Sequence, residues 1–359
     1  MTRIKTRFSA LFLLIIMAAA LLSGCITSER PEITEEIPEK LSGSAPEPEL
    51  LPLQQTRSIM NTEITVKVFA ENESEGLRAL KEAFEEVEKV EALMSPSKPE
   101  SQLYILNSEG KVEAADPAFL YVLNHSRNYS ELSGGAFDIS IKPLLDLWAE
   151  RFEPEGPKTP PEPEALNETL KLVNYTKIKI EGREVSLSPG MGIVLGGVAK
   201  GYAVDKAIEA LKANGIENAF VNAGGDGRYI GLKRDELGKK KPWVTGLQNP
   251  EKGEDFITMI NARDVAVATS GNYERYFNES ARVSHIADPR TGYPAEELIG
   301  CTVIAQSAIE ADALATTLFV LGETKGLELV ESLEGVECLL IRNDRSLVYS
   351  SGFQEYELI

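Results

Sequence analysis

The sequence predicts an α+β fold of mixed, largely antiparallel sheets with flanking helices. Three observations carry that reading. Short alternating runs come in adjacent pairs around glycine turns, as in KIKIEGREVSLSP (177–189) and AFVNAGGDGRYIGL (219–232), the pattern of antiparallel hairpins. Longer segments such as GYAVDKAIEALKANG (201–215) repeat apolar residues at three- and four-residue spacing, as one helix face requires. Strands and helices do not alternate one for one, which disfavours a doubly wound parallel sheet.

At the start of the chain, Arg3, Lys5 and Arg7 precede an apolar run over residues 8–22 that is too short for a comfortable membrane span. The run stops at LLSGC. This pattern resembles a lipoprotein signal over residues 1–24, with cleavage leaving Cys25 as the lipidated N-terminus; an ordinary signal peptide or a short anchor helix is the alternative. Each reading exports the protein. Residues 25–56 are rich in Glu and Pro and have no apolar period, so they are expected to form an extended tether from Cys25. The folded unit is expected over residues 57–359.

SIMNTEITVKVFA (58–70) alternates and reads as one half-buried strand. Over residues 75–94, Leu77, Leu80, Phe84, Val87, Val90 and Met94 define an amphipathic helix packed on a sheet. A second helix is expected over about 118–132, stopped by Ser133-Gly134-Gly135, since glycine tolerates the left-handed conformation of a helix end. The Pro/Glu-rich stretch at 153–164 reads as a surface excursion, and LKRDELGKKKPW (232–243) as a solvated loop. Strands follow at 243–250, 256–262 and 265–271. Helices near 307–321 and 325–333 and strands at 337–343 and 346–351 complete the chain.

The formal charge is −19, and removal of Arg3, Lys5 and Arg7 takes it to −22 (−19 − 3). Such a field repels nucleic acid, and no Lys/Arg run with interleaved aromatics offsets it, so nucleic-acid binding is not expected. An acidic chain that binds an anion needs a metal cation or directed backbone N–H groups at the site. Beyond Cys25 only Cys301 and Cys338 remain, readable as an extracellular pair or as two buried thiols.

Four segments are candidates for chemistry. GGVAKGYAVDKA (196–207) is a glycine turn opening a helix, suited to phosphate, but it fits neither a Walker A loop nor a dinucleotide fingerprint, and a plain tight turn is favoured. SAIEADALATTLFVLG (307–322) places Asp312 and Thr316 on one face of an apolar helix, which suits a hard cation such as Mg²⁺; alternatively Asp312 caps a neighbouring loop and Thr316 bonds back to a carbonyl. In SGGAFDIS (133–140), Phe137 and Asp138 could stack on and bond a heterocycle, or serve as a core ring and a turn acid. SHIADPRTG (284–292) sets His285, one of two histidines, beside Asp288 and a Pro/Gly turn.

Together these segments resemble the ApbE family of FAD:protein FMN transferases. The similarity runs from about residue 59 onward through MNTEITV, LMSPSKPESQLYILN, SGGAFDISIKPLLDLW, LGGVAKGYAVDKA, VNAGGDGRYIG, WVTGLQNP, VATSGNYERYF, SHIADPRTG and ADALATTLFVLG, in the family's order. The resemblance implies a two-lobed single catalytic unit that uses Mg²⁺ to bind FAD, splits its pyrophosphate, releases AMP and attaches FMN to a Thr or Ser of an exported acceptor. It implies metal ligands at Asp312 and Thr316, with the carbonyls of Gly197 and Ala315 nearby. Flavin- or adenylate-binding positions fall on Met60, Ala136, Phe137, Asp138, Lys200, Thr269 and Ser270. His285 matches the histidine of the transfer step, and a neutral imidazole suits proton removal from an acceptor hydroxyl, with Asp288 expected to orient it.

The implied partners are flavoprotein subunits of membrane electron-transport complexes carrying a Ser/Thr flavinylation motif. The implied location is the outer face of the cell membrane, through the lipid on Cys25. One residue departs from the family pattern: GIVLGG has Val194 where the family commonly has an acid. The alternatives are a FAD pyrophosphatase, which forms FMN and AMP with water as acceptor, and a non-catalytic flavin-binding lipoprotein.

Overall fold

Eight strands pair in the order in which the chain makes them: β1 (Leu51–Ile59), β2 (Thr62–Ala70), β3 (Ala219–Ala223), β4 (Asp226–Ile230), β5 (Val265–Gly271), β6 (Leu298–Ala305), β7 (Glu337–Arg342) and β8 (Leu347–Tyr349). Every neighbouring pair is antiparallel. The computed structural model describes residues 50–235, 238–250, 255–273, 276–278 and 283–358. The expected signal, Cys25 and the tether up to residue 49 lie outside the described residues. Among the described residues no helix is long and apolar enough to cross a membrane.

Seven helices are described: α1 (Glu73–Met94), α2 (Gln102–Glu109), α3 (Pro117–Leu132), α4 (Lys142–Phe152), α5 (Pro163–Leu170), α6 (Ala199–Ala213) and α7 (Ala308–Val330). The first six all fall between β2 and β3, together with a small sheet of Lys111–Val112, Glu184–Ser186 and Lys179–Glu181. Their ends follow from local chemistry. Asn72 and Ser101 accept from the amides of Glu75 and Tyr104, and Asp116 accepts from Ala118 N beside Pro117 at the first helical position. Gly134 and Gly135 follow α3 with φ of 59° and 83°.

Because side chains alternate along a strand, each strand of the large sheet feeds two cores. Ala266 and Ala268 of β5 face the helical core with Val66, Val221 and Val303, while Val265 and Val267 face a second core with Trp243, Ile304 and Leu339. The hairpin of Trp243–Gln248 and Phe256–Ala262 supplies that second cover. Phe84 of α1 is fully buried, and truncating such a ring to alanine costs about 3–5 kcal/mol.

The structure corrects several expectations. Residues 58–70 are not one strand: Met60 and Asn61 both adopt left-handed φ (55° and 58°) and turn β1 into β2. The fold also begins before Arg57, because β1 starts at Leu51; its polar, largely exposed edge position hid the alternation. Leu77 is 42% exposed, and Ala79 and Ala83 take the inward positions beside Leu80 and Phe84. The helices expected near 307–321 and 325–333 are both present, as the two parts of α7 on either side of Gly322, whose φ of 76° is non-helical. Cys301 and Cys338 are buried thiols that form no disulfide.

Candidate active site

The tip of the β1–β2 hairpin, the turn before α6, the end of β5, one face of α7 and the 284–292 turn enclose a cavity of about 720 Å³. Its α6–α7 wall depends on close backbone approach. Gly201 of α6 faces α7, where an added Cβ would lie 2.2 Å from the Ala308 carbonyl oxygen. At that contact Gly201 N–H donates to Asp312 Oδ2 at 3.0 Å. Four residues along α6, Asp205 accepts from Ala308 N (2.9 Å) and Ile309 N (3.0 Å), capping α7 in place of its own Ser307, and also pairs with Arg228 at 2.6 Å. Lys200 pairs with Asp226, whose side chain is nearly fully buried. Gly201 and Asp205 therefore seat α7.

That seating aims Asp312 and Thr316 at the cavity, which both line. Burial pushes the Asp312 carboxyl up to about 7 against the opposing pull of Lys200; Asp226 adds to the rise and the Gly201 N–H opposes it. Thr316 Oγ1 lies 3.2 Å from Ser270 Oγ, while the back-bond to a carbonyl is made by its neighbour, Thr317 to Ala313 O at 2.7 Å. A Cβ on Gly197 would sit 2.7 Å from Thr316 Oγ1 and 3.4 Å from Phe137, so glycine lets the backbone close on both side chains. Ahead of α6, the Val198 and Ala199 amides both donate to Leu195 O, which makes this turn the tight turn that the sequence favoured.

A carboxylate, a hydroxyl and a glycine backbone within one closed corner are hard oxygen donors, few enough for Mg²⁺ to share with phosphate and water; the residues fit that ion. Gly197 lines the cavity, and Ala315, whose carbonyl the resemblance places nearby, is fully buried in α7 next to Thr316. Met60, Ala136, Phe137, Asp138, Lys200, Thr269 and Ser270 all line the cavity. Thr269 Oγ1 is 2.9 Å from Thr302 Oγ1 across the β5–β6 register.

Three hydrogen bonds hold Asp138 at the cavity wall. Its Oδ1 accepts from Ser140 N (2.8 Å) and Oγ (2.7 Å), and its Oδ2 accepts from Tyr175 N (3.0 Å), fixing the loop that presents Phe137. Burial raises its carboxyl above the ordinary range while these bonds oppose the rise.

His285 also lines the cavity, half-buried, on a turn closed by Gly292 N to Asp288 O (2.8 Å) and Asp288 N to Tyr293 O (2.8 Å). Trp148 of α4 holds this turn by donating Nε1–H to Gly292 O at 2.8 Å. The expectation that Asp288 orients the imidazole is corrected, because both its oxygens accept from Arg290 at 2.8 Å, in a bidentate pair within the turn.

The ApbE family model matches residues 60–340. This chain belongs to the ApbE family. Among its relatives are the FAD:protein FMN transferase of Treponema pallidum (strain Nichols), 31% identical over 312 residues covering 82% of this chain and 85% of the relative, and that of Vibrio cholerae serotype O1, 33% identical over 277 residues covering 75% and 79%. Solved structures agree. The ApbE protein from Thermotoga maritima superposes with a TM-score of 0.77 at 32% identity, over 86% of this chain and 100% of that one. The flavin transferase ApbE from Vibrio cholerae gives 0.72 at 28% identity, over 86% and 99%.

Within this ApbE chain, Val194 lines the cavity and packs with Ile141, Leu144 and Trp148 as part of an apolar patch. Sequence reasoning missed Glu91, Asp205, Asp226 and Trp148. Asp205 and Asp226 stood inside the quoted motifs, but only a fold tells which cation or helix end an acid meets. Trp148 ends the DLW run, whose 3.6-residue apolar spacing from Leu144 was the available signal for α4.

Proposed function

We propose that the cavity binds FAD, splits its pyrophosphate, and passes FMN to a Thr or Ser hydroxyl of an exported acceptor protein while AMP leaves. As a member of the ApbE family the chain is an enzyme, a FAD:protein FMN transferase; the Mg²⁺ requirement, the acceptor residue and the AMP product are our reading. The observation that carries it is the opening of Asp312, Thr316 and the Gly197 backbone onto the same cavity as His285. Its volume falls in the range of small-ligand sites, roughly 300–1,000 Å³.

The charges of the wall support a metal requirement. Lys98 and Lys200 both line the cavity, and both are ion-paired, with Glu91 and Asp226. A pyrophosphate entering an acidic protein thus meets cations already neutralised. Bound Mg²⁺ would supply the missing positive charge at the phosphates and at the leaving AMP. Asp312 and Thr316 would hold the ion, Phe137 and Met60 would contact rings, and the Gly196–Gly197 turn would admit the phosphates close to backbone.

In the transfer itself, the acceptor oxygen bonds to the phosphorus of the FMN half. The bridging P–O bond to AMP breaks, and His285 takes the acceptor's hydroxyl proton. The chain is to be incubated with FAD and Mg²⁺, with and without an acceptor protein bearing a family-type Ser/Thr flavinylation motif, and AMP followed. AMP release that depends on acceptor and metal is expected; rapid release without acceptor would replace this reading with the hydrolase, and FAD binding without any AMP would replace it with a binding lipoprotein.

The proposal extends to location: signal cleavage before Cys25 leaves a lipid-anchored enzyme on the outer face of the membrane, serving flavoprotein subunits of electron-transport complexes. The basic start, the short apolar run and the LLSGC boundary support it. Mass spectrometry of the exported protein should find a chain that begins at a lipid-modified Cys25; a chain that still carries residues 1–24 would leave an uncleaved anchor helix.

A further inference from the structure

Three segments of the cavity wall meet at one carboxylate. Glu91, in the last turns of α1, has its side chain 21% exposed and lines the cavity itself. Its Oε1 accepts from Met60 N at 2.8 Å, and its Oε2 accepts from Lys98 Nζ at 2.6 Å. Met60 begins the two-residue β1–β2 turn, and Lys98 lies in the loop that follows α1; residues 60–62 and 94–98 line the cavity continuously around Glu91.

The Met60 conformation makes this contact consequential. A non-glycine residue with φ of 55° lies in a sparsely populated region and persists where its surroundings fix it. A charge-assisted bond to the Met60 amide is such a constraint, and it is of the stronger class. Burial works to raise the Glu91 carboxyl, but the Lys98 ammonium and the Met60 amide outweigh it and hold the group below the ordinary range, so the acceptor is charged at neutral pH.

We propose that Glu91 is a positioning residue for FAD: through its bond to Met60 N–H it holds the hairpin tip in the left-handed form that shapes one wall of the nucleotide site, with Lys98 holding the carboxylate in place. The proposal rests on the reading of the cavity as a FAD site. It predicts an effect on affinity, not on the chemical step, because Glu91 acts through the Met60 wall.

The test uses the intact chain and three variants, Glu91→Ala, Glu91→Gln and Lys98→Met, with FAD binding read by flavin fluorescence, KM and kcat read by AMP release, and amide exchange at Met60 read without ligand. Glu91→Ala should speed exchange at Met60 and weaken FAD binding at least about tenfold, with KM rising in step and kcat nearly unchanged. Glu91→Gln retains a side-chain oxygen acceptor and should recover most of the affinity, and Lys98→Met should fall between. Faster exchange with wild-type affinity, unchanged exchange, a loss confined to kcat, or no recovery by Gln would each overturn the proposal. Failure of the unaltered chain to bind FAD would instead sink the functional reading on which it rests.

Discussion

The wall that carries Asp312 and Thr316 stands on two helices locked together; the wall that carries His285 stands on a turn. On the helical side, Gly201 lets α6 touch α7, Asp205 caps α7 from α6, and the Asp205–Arg228 and Lys200–Asp226 pairs tie both helices to the β3–β4 hairpin. On the turn side, the aim of His285 depends on a short hydrogen-bonded loop, the Arg290–Asp288 pair and one indole bond from α4. The difference matches the work proposed for each wall. Ligands for a divalent ion must be held with their charge desolvated, whereas a base must meet a hydroxyl that arrives on another protein.

Variants at each wall should therefore fail differently. The largest effect is expected from Asp312→Asn, which removes the charge but can still accept from Gly201 N–H: Mg²⁺-dependent AMP release should be lost with the circular dichroism spectrum retained. Full activity would remove Asp312 from the site. Next comes His285→Ala, expected to slow transfer by about 10²- to 10⁴-fold while FAD affinity holds; a purely binding defect would make the turn wall a binding wall. Trp148→Phe keeps an aromatic ring near Phe152 but leaves Gly292 O without its donor. Transfer should fall several-fold, on the order of one hydrogen bond's ~1 kcal/mol, with FAD affinity unchanged. An effect as large as that of His285→Ala would mean that the whole turn hangs on this bond.

The smallest effect concerns the other histidine, away from the cavity. His125 packs against the rings of Tyr121 (5.3 Å) and Tyr129 (5.2 Å), its Nε2 has no hydrogen-bond partner, and burial holds its pKa below the ordinary 6.5. Below pH 6.5 the unfolded chain then takes up this proton more readily than the folded one. Its contribution to stability is complete above 6.5 and fades as pH falls through the lowered folded value. The apo protein should lose thermal midpoint as pH drops from 7 to 5, and His125→Phe should flatten part of that slope; an unchanged slope would clear His125.

How much of this was legible in the sequence depended on the range of the interaction. Helix faces repeat within a few residues, so α1, α6 and the shared face of Asp312 and Thr316 could be read directly. The antiparallel hairpins around Gly182 and Gly224-Gly225 were equally plain. The β1 edge was not, since LPLQQT carries little apolar alternation, and the Met60-Asn61 turn lacks the glycine that marks most such tips. Long-range pairings were out of reach for the same physical reason. Nothing local says that Asp205 caps a helix 103 residues away in sequence, or that Asp288 bonds Arg290 and leaves His285 to other neighbours.

The most direct test of the central claim is the mass of an acceptor protein after incubation with the chain, FAD and Mg²⁺, with AMP counted in the same sample. One FMN joined through a phosphoester to a Thr or Ser, with one AMP released per adduct and none on the acceptor's Thr/Ser→Ala variant, is the expected result. AMP accumulating while the acceptor mass stays unchanged would contradict it.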